Sequence, residues 1–469
     1  MVFSSVPFLF FFLPAFLILY YLFPGRAKNY VLLVFSLVFY AWGEPVYILL
    51  MLLSSFVDYL DGLLQEKFGT TLLRKRIFLA IALIINFSLL AYFKYADFAV
   101  GIFNRVSPWT ATLPGVALPV GISFYTFQTV SYSIDVYKGR VKVEHNYLSY
   151  LTYVSMFPQL IAGPIVRFST VQEELHKREV NESGFVRGMK RFLPGLLRKV
   201  LIANQIGALW DTIRVADDIS IVTAWLGLLC FTLQLYYDFS AYSDMAIGLG
   251  WMLGFHFPEN FIYPLSATSV TDFWHRWHIS LSTWFRDYVY IPLGGNRVGV
   301  AKHLRNMFAV WFLTGLWHGA SWNFVLWGLY HGILLTLEKY VWGKGLAKLP
   351  KFLQHLYAIV IVVFGFGIFT FDDLGEMKQY FVQLIGLPGN AFLGREFGWY
   401  AGNYLPFLLT AIVLAFPVYP WFQKKLAGAN AYRRNLYTTC GALLLIALFM
   451  VAVASLVRDT YNPFLYFRF

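Results

Sequence analysis

Runs of about 18 or more residues with almost no charge recur along the whole chain, and a run of that length is what an α-helix needs to cross the hydrocarbon layer of a membrane. The apolar runs are continuous rather than alternating, which argues against a β-barrel. Composition agrees. Only 13% of the 469 residues are charged and 58% are hydrophobic, whereas a soluble domain carries about 25% charged residues. The expected fold class is therefore all-α, a polytopic integral membrane protein. Candidate spans fall near 6–24, 30–43, 46–60, 77–96, 115–134, 148–165, 192–210, 219–237, 241–256, 305–317, 320–340, 354–371, 400–420 and 436–457. The shorter of these are expected to be buried, re-entrant or interfacial pieces. No linker or internal repeat divides the chain, so residues 1–469 are read as one membrane domain.

The net charge of +12 does not point to nucleic acid. Its basic residues gather in short loops between apolar runs, where the positive-inside rule places them. With Arg26, Lys28, Lys67, Arg74, Lys75 and Arg76 in the cytoplasm, the N-terminus lies outside, and so does the C-terminal "RDTYNPFLYFRF". The apolar start "MVFSSVPFLFFFLPAFLILYYLF" lacks a basic beginning and a small-residue cleavage site, which predicts a retained span rather than a signal peptide. Residues 167–199 mix both charge signs with spaced apolar residues, as amphipathic helices on the cytoplasmic face would. The two cysteines, Cys230 and Cys440, suggest neither a disulfide framework nor a zinc site, and no metal is expected.

Four segments place polar or ionisable groups, Pro or Gly against apolar neighbours: 118–140, 156–168, 233–261 and 271–297. The last is followed by "GLWHGASWNFVLWGLYHG" at 315–332. A charge at the centre of a span costs at least about 2.5–3.5 kcal/mol, so such groups tend to mark a cavity or pathway. Asp238, Asp244, His278 and His318 are candidates on this ground. Each also has a structural reading: the acids can pair with a nearby Arg or Tyr, and a membrane histidine can simply join two helices. On a continuous helix Trp274 and His278 would share one face, one turn apart. The "YIPLGGN" that follows breaks the helix. His318 and His331 on one helix would lie about 20 Å apart and about 140° around it, so they share a centre only if the helix breaks at Gly319 or Gly328. Gly315 and Gly319 beside His318 would let a thin ligand approach the backbone. A neutral imidazole suits general-base chemistry near pH 7, and no metalloprotease, nucleophile-elbow, dinucleotide or phosphate-loop motif is present.

The segments "FWHRWHISLSTWFRDYVYIPLGGNR" and "GLWHGASWNFVLWGLYHG", in this order, resemble the membrane-bound O-acyltransferases, and the bacterial alginate O-acetyltransferase subgroup in particular. "YAWGEP", "LPVGISFYTFQTVSYSIDVYKG", "FPQLIAGPIVR", "YYDFSAYSDMAIGLG" and the "PFLYFRF" end extend the likeness over nearly the whole chain. The resemblance implies a ring of transmembrane helices around a central tunnel with re-entrant elements. It implies His318 as the catalytic residue and His278 as the second histidine. Trp274, Trp277 and Trp317 would shape an apolar, water-excluding tunnel for substrate, although for any one of them taken singly ordinary helix packing is the better reading.

The implied activity is acetyl transfer from cytoplasmic acetyl-CoA across a bacterial cytoplasmic membrane to an exported polysaccharide such as alginate. No cofactor would be held permanently, and an SGNH-hydrolase-like extracytoplasmic acetyltransferase would be the partner. Peptidoglycan, cellulose or another envelope polymer as acceptor is the alternative within this chemistry. A membrane transporter is the alternative outside it.

Overall fold

The computed structural model describes every residue except 388, 459–461, 463 and 466–469. The reading of the C-terminal "RDTYNPFLYFRF" therefore falls mostly outside the described residues. Among the described residues every regular element is helical and none is a strand. Among the described residues, six helices are long and apolar enough to cross a membrane: Ile48–Phe68, Leu72–Val106, Ile221–Leu253, Lys351–Thr370, Arg395–Leu414 and Ala431–Arg458. Two shorter apolar stretches, Phe8–Leu22 and Ala27–Gly43, precede them. The 35 residues of Leu72–Val106 reach about 50 Å at 1.5 Å per residue, well beyond a hydrocarbon layer of about 30 Å.

The chain divides into two compact units, one formed by Met1–Phe192 with Ser243–Pro258, the other by Leu193–Tyr242 with Glu259–Phe469. In the first, Phe157 is packed by Phe12, Phe16 and Phe39 at ring separations of 5.4, 5.1 and 5.4 Å. The Ile122–Tyr137 helix is buried almost all round yet carries Ser, Thr, Gln and Asp. Such a helix is stable only if its neighbours supply hydrogen bonds. Neighbours supply part of them: Ser133 Oγ donates to one oxygen of Asp58 at 2.5 Å, and on the facing helices Asn86 Nδ2 donates to the other at 2.7 Å and Ser54 Oγ to Asn86 Oδ1 at 2.5 Å. Residues 167–199 are helical over Phe168–His176 and Glu182–Arg198.

Several span boundaries differ from expectation. The stretches 219–237 and 241–256 are one helix, Ile221–Leu253, because the residues between them, Asp238, Phe239 and Ser240, are buried and do not form a loop. The stretch 148–165 is broken at Met156, whose backbone leaves the helical region just before Pro158.

Candidate active site

The second unit holds His278, His318 and His331: His278 lies between two helices, His318 is the last residue of one, and His331 lies within another. The Val300–His318 helix stops at His318 because Gly319 is extended (φ −170°, ψ 161°), and a new helix, Trp322–Leu337, begins after Ser321. The "GLWHGASWNFVLWGLYHG" segment is thus a helical hairpin, and the break at Gly319 turns His331 back toward His318. The hairpin closes on two glycines. A Cβ on Gly315 would lie 2.3 Å from the Phe324 carbonyl oxygen, and one on Gly328 would lie 2.3 Å from that of Trp311. The space beside Gly319 is filled by the Phe324 ring, 2.1 Å from where a Cβ would be. These glycines therefore serve close helix packing. The expectation that Gly315 and Gly319 open a path for a ligand is not met.

His278 does not lie on the same helix as Trp274. The Val270–Arg276 helix ends at Trp277, and His278 adopts the left-handed region (φ 44°, ψ 53°) before Ile279–Phe285 begins. A non-glycine residue pays for that conformation and keeps it only when its surroundings hold it there. The Val270–Arg276 helix is short but strongly capped. Ser269 Oγ accepts from the Asp272 N–H at 3.0 Å, and the buried Glu338 carboxylate accepts from Val270 and Thr271 at 2.8 and 2.9 Å. Four N-terminal donors need partners in any helix, and Glu338 satisfies two of them. Downstream, the break predicted at "YIPLGGN" is present as a turn with Gly294 and Gly295 at φ 104° and 55°. Asn306 Nδ2 ties this turn to the next helix through the carbonyls of Leu293 and Gly295, each at 3.1 Å.

Indole rings join the imidazoles. Trp317 lies 5.8 Å from His278 and 5.0 Å from His318, centroid to centroid. Trp327 lies 5.0 Å from His318 and 5.0 Å from His331, edge to face with both. Phe369 closes the other side of His318 at 5.2 Å. All three imidazoles are buried. Trp274 Nε1–H donates to His331 Nδ1 at 3.3 Å, and Trp274 also packs on Trp311 at 4.6 Å. Trp277 is enclosed by Phe261, Phe273 and Phe366 at 5.0, 5.5 and 5.0 Å. Of the three tryptophans singled out in the sequence, Trp317 is the one that bridges His278 and His318.

The two acids are held in ion pairs. Asp238 lies 2.7 Å from buried Lys199 and accepts the Leu465 N–H at 2.9 Å. Asp244, on the part of its helix that belongs to the first unit, pairs with Arg191 at 2.6 Å. Trp327, Phe369, Glu338 and Asn260 were not visible as site residues in the sequence. Glu338 had a usable signal, a carboxylate directly after the apolar run Ile333–Leu337. Among the described residues no three His, Cys, Asp or Glu side chains converge as they would on a metal ion.

The two histidine motifs thus meet in one buried imidazole–indole cluster within an apolar helical fold. Residues 35–374 match the membrane-bound O-acyltransferase family, and the chain belongs to it. It is a multi-pass membrane enzyme of acyl transfer, which sets aside the transporter alternative. It is 36% identical to the probable alginate O-acetylase AlgI of Azotobacter vinelandii, with all of both chains covered. It is 42% identical to the probable alginate O-acetylase AlgI of Pseudomonas aeruginosa over 80% of this chain and 73% of that one. The peptidoglycan O-acetyltransferase of Helicobacter pylori is 34% identical over 83% of this chain and 80% of its own.

Proposed function

We propose that this protein takes acetyl groups from cytoplasmic acetyl-CoA and passes them across a bacterial cytoplasmic membrane for O-acetylation of an exported polysaccharide such as alginate. The observation that carries the reading is His318, a buried imidazole at a helix end, enclosed by Trp317, Trp327 and Phe369 and flanked through Trp317 by His278. The names of the Azotobacter and Pseudomonas relatives support alginate as the acceptor. The Helicobacter relative favours peptidoglycan as the second reading, with the same chemistry.

In this mechanism a ring nitrogen of His318 accepts the proton of an acceptor hydroxyl as its oxygen attacks the thioester carbonyl. The C–S bond then breaks, the thiolate of CoA leaves, and the proton passes from the imidazolium to sulfur. Positioned base catalysis of this kind contributes about 10²–10⁴-fold. His278 orients or stabilises charge on the thioester side. Trp317, together with Trp274 and Trp277, keeps water from the thioester. An SGNH-hydrolase-like extracytoplasmic acetyltransferase would take the acetyl group onward to the polymer.

The test uses the whole protein in nanodiscs with acetyl-labelled CoA, following CoA release and transfer of label to alginate oligomers, with and without such a partner. Turnover by wild type and its loss in a folded His318→Ala variant are the expected result. Unchanged turnover in His318→Ala would overturn the mechanism. Transfer to peptidoglycan fragments but not to alginate would move the acceptor to the second reading.

A further inference from the structure

Asn260 lies in the non-helical stretch that follows the Ile221–Leu253 helix, 18 residues before His278 in sequence, and is fully buried. Its backbone carbonyl accepts the Ile279 N–H at 3.0 Å. Its side-chain oxygen accepts the Ser280 N–H at 3.1 Å and the Ser280 hydroxyl at 2.9 Å. The same oxygen lies 3.2 Å from His278 Nδ1. One residue therefore grips the chain on the C-terminal side of His278 and touches the imidazole as well. This grip helps to hold His278 in its left-handed backbone conformation (φ 44°).

The arrangement also fixes a proton. The two ends of a carboxamide are hard to tell apart by shape, and only the hydrogen-bond network identifies them. A backbone N–H can only donate, so the atom facing Ser280 N is the oxygen. An oxygen can only accept, so His278 Nδ1 must carry the hydrogen between them. We infer that Asn260 is a positioning residue that holds His278 with its proton on Nδ1, so that Nε2 is the nitrogen through which His278 acts in the reaction. The inference rests on the acyltransferase reading above for the role of His278, but the tautomer itself does not depend on that reading. An amide in this place has a chemical consequence. A carboxylate partner would stabilise an imidazolium, whereas a neutral amide orients the ring and leaves it less basic. That suits a group that must meet a thioester uncharged.

Two measurements test this. The first is ¹⁵N NMR of the nanodisc protein labelled at histidine, with the His278 signals assigned by their loss in His278→Gln. A protonated Nδ1 and a bare Nε2 are expected in wild type, and a bare Nδ1 would overturn the inference. The second compares Asn260→Leu with Asn260→Asp at matched thermal stability. The leucine removes the acceptor, and kcat is expected to fall about 10–100-fold with little change in KM. The aspartate keeps an acceptor oxygen and is expected to retain turnover. Its charge would hold the His278 proton to higher pH, so the acid limb of the rate profile should move upward. An aspartate variant as inactive as the leucine one, or a leucine variant with the wild-type kcat and pH profile, would overturn the positioning role. If His278→Gln itself turns over normally, the assigned role of His278 in the reaction fails, and the NMR result still decides the tautomer.

Discussion

The two units bury polar groups in opposite ways. In the first, carboxylate, amide and hydroxyl groups bond to one another across helices, and both oxygens of Asp58 accept a side-chain donor. In the second, imidazoles around the hairpin pack against indoles, edge to face at His318 and His331 and tilted at His278, with hydrogen bonds to one ring nitrogen seen at His278 and His331. A carboxylate whose lone pairs are taken up by neighbours is committed to holding helices together. An imidazole packed by ring faces is fixed in place and can still exchange a proton, whereas one that takes up a neighbouring indole N–H, as His331 does, serves as an acceptor that holds that indole. Burial of an ionisable group alone does not distinguish these cases. The partners do.

The comparison breaks if the wrong unit turns out to carry the chemistry. His318→Ala should lower acyl transfer by about 10²–10⁴-fold with little change in melting temperature. Asp58→Asn should do the reverse. It leaves one acceptor oxygen for the two donors Asn86 Nδ2 and Ser133 Oγ, so one of those bonds must be lost or reversed, which costs about 1–3 kcal/mol, while the folded enzyme turns over normally. Turnover and thermal unfolding measured on both variants decide it, and a large fall in turnover for Asp58→Asn would end the distinction. Lys199→Met asks the same question of the second unit. Removing one partner of a buried ion pair costs about 3–5 kcal/mol, so Asp238 should prove structural by loss of stability with normal activity per folded molecule. Gly328→Ala is a smaller change. Its Cβ would meet the Trp311 carbonyl oxygen at 2.3 Å, so the hairpin must shift, at about 1–3 kcal/mol. Since Trp327 adjoins that glycine, turnover should drop with stability.

The apolar runs made the helical membrane fold legible, and the two histidine motifs located His278 and His318. What the sequence could not show was the path of the backbone at single residues. Nothing in "RWHIS" marks His278 as left-handed, so a continuous helix was the natural reading there, and Trp274 was placed on its face. The glycines beside His318 suggested room, but whether a missing Cβ leaves space or admits another helix depends on what packs against it, here Phe324 and Trp311. Asn260 was invisible for a related reason. It acts across 18 residues of chain through a fold that brings 260–262 alongside 276–280, and no local spacing encodes that approach.

The finest test concerns His331, which shares Trp327 with His318 and could be taken for a third catalytic group. Its Nδ1 accepts the Trp274 indole N–H, and Trp274 sits on the capped helix that leads to His278. This makes His331 the acceptor that fixes a tryptophan. Glutamine can accept the same hydrogen bond through its amide oxygen but cannot relay a proton as imidazole does. For His331→Gln we therefore expect a stability change of about 1 kcal/mol, the net worth of one hydrogen bond, and turnover near that of wild type. A fall of 10²-fold or more at unchanged stability would make His331 a proton-transfer group. The indole between the two imidazoles would then lie along the reaction path, and the hydrogen bond from Trp274 would be setting the tautomer of a reacting group.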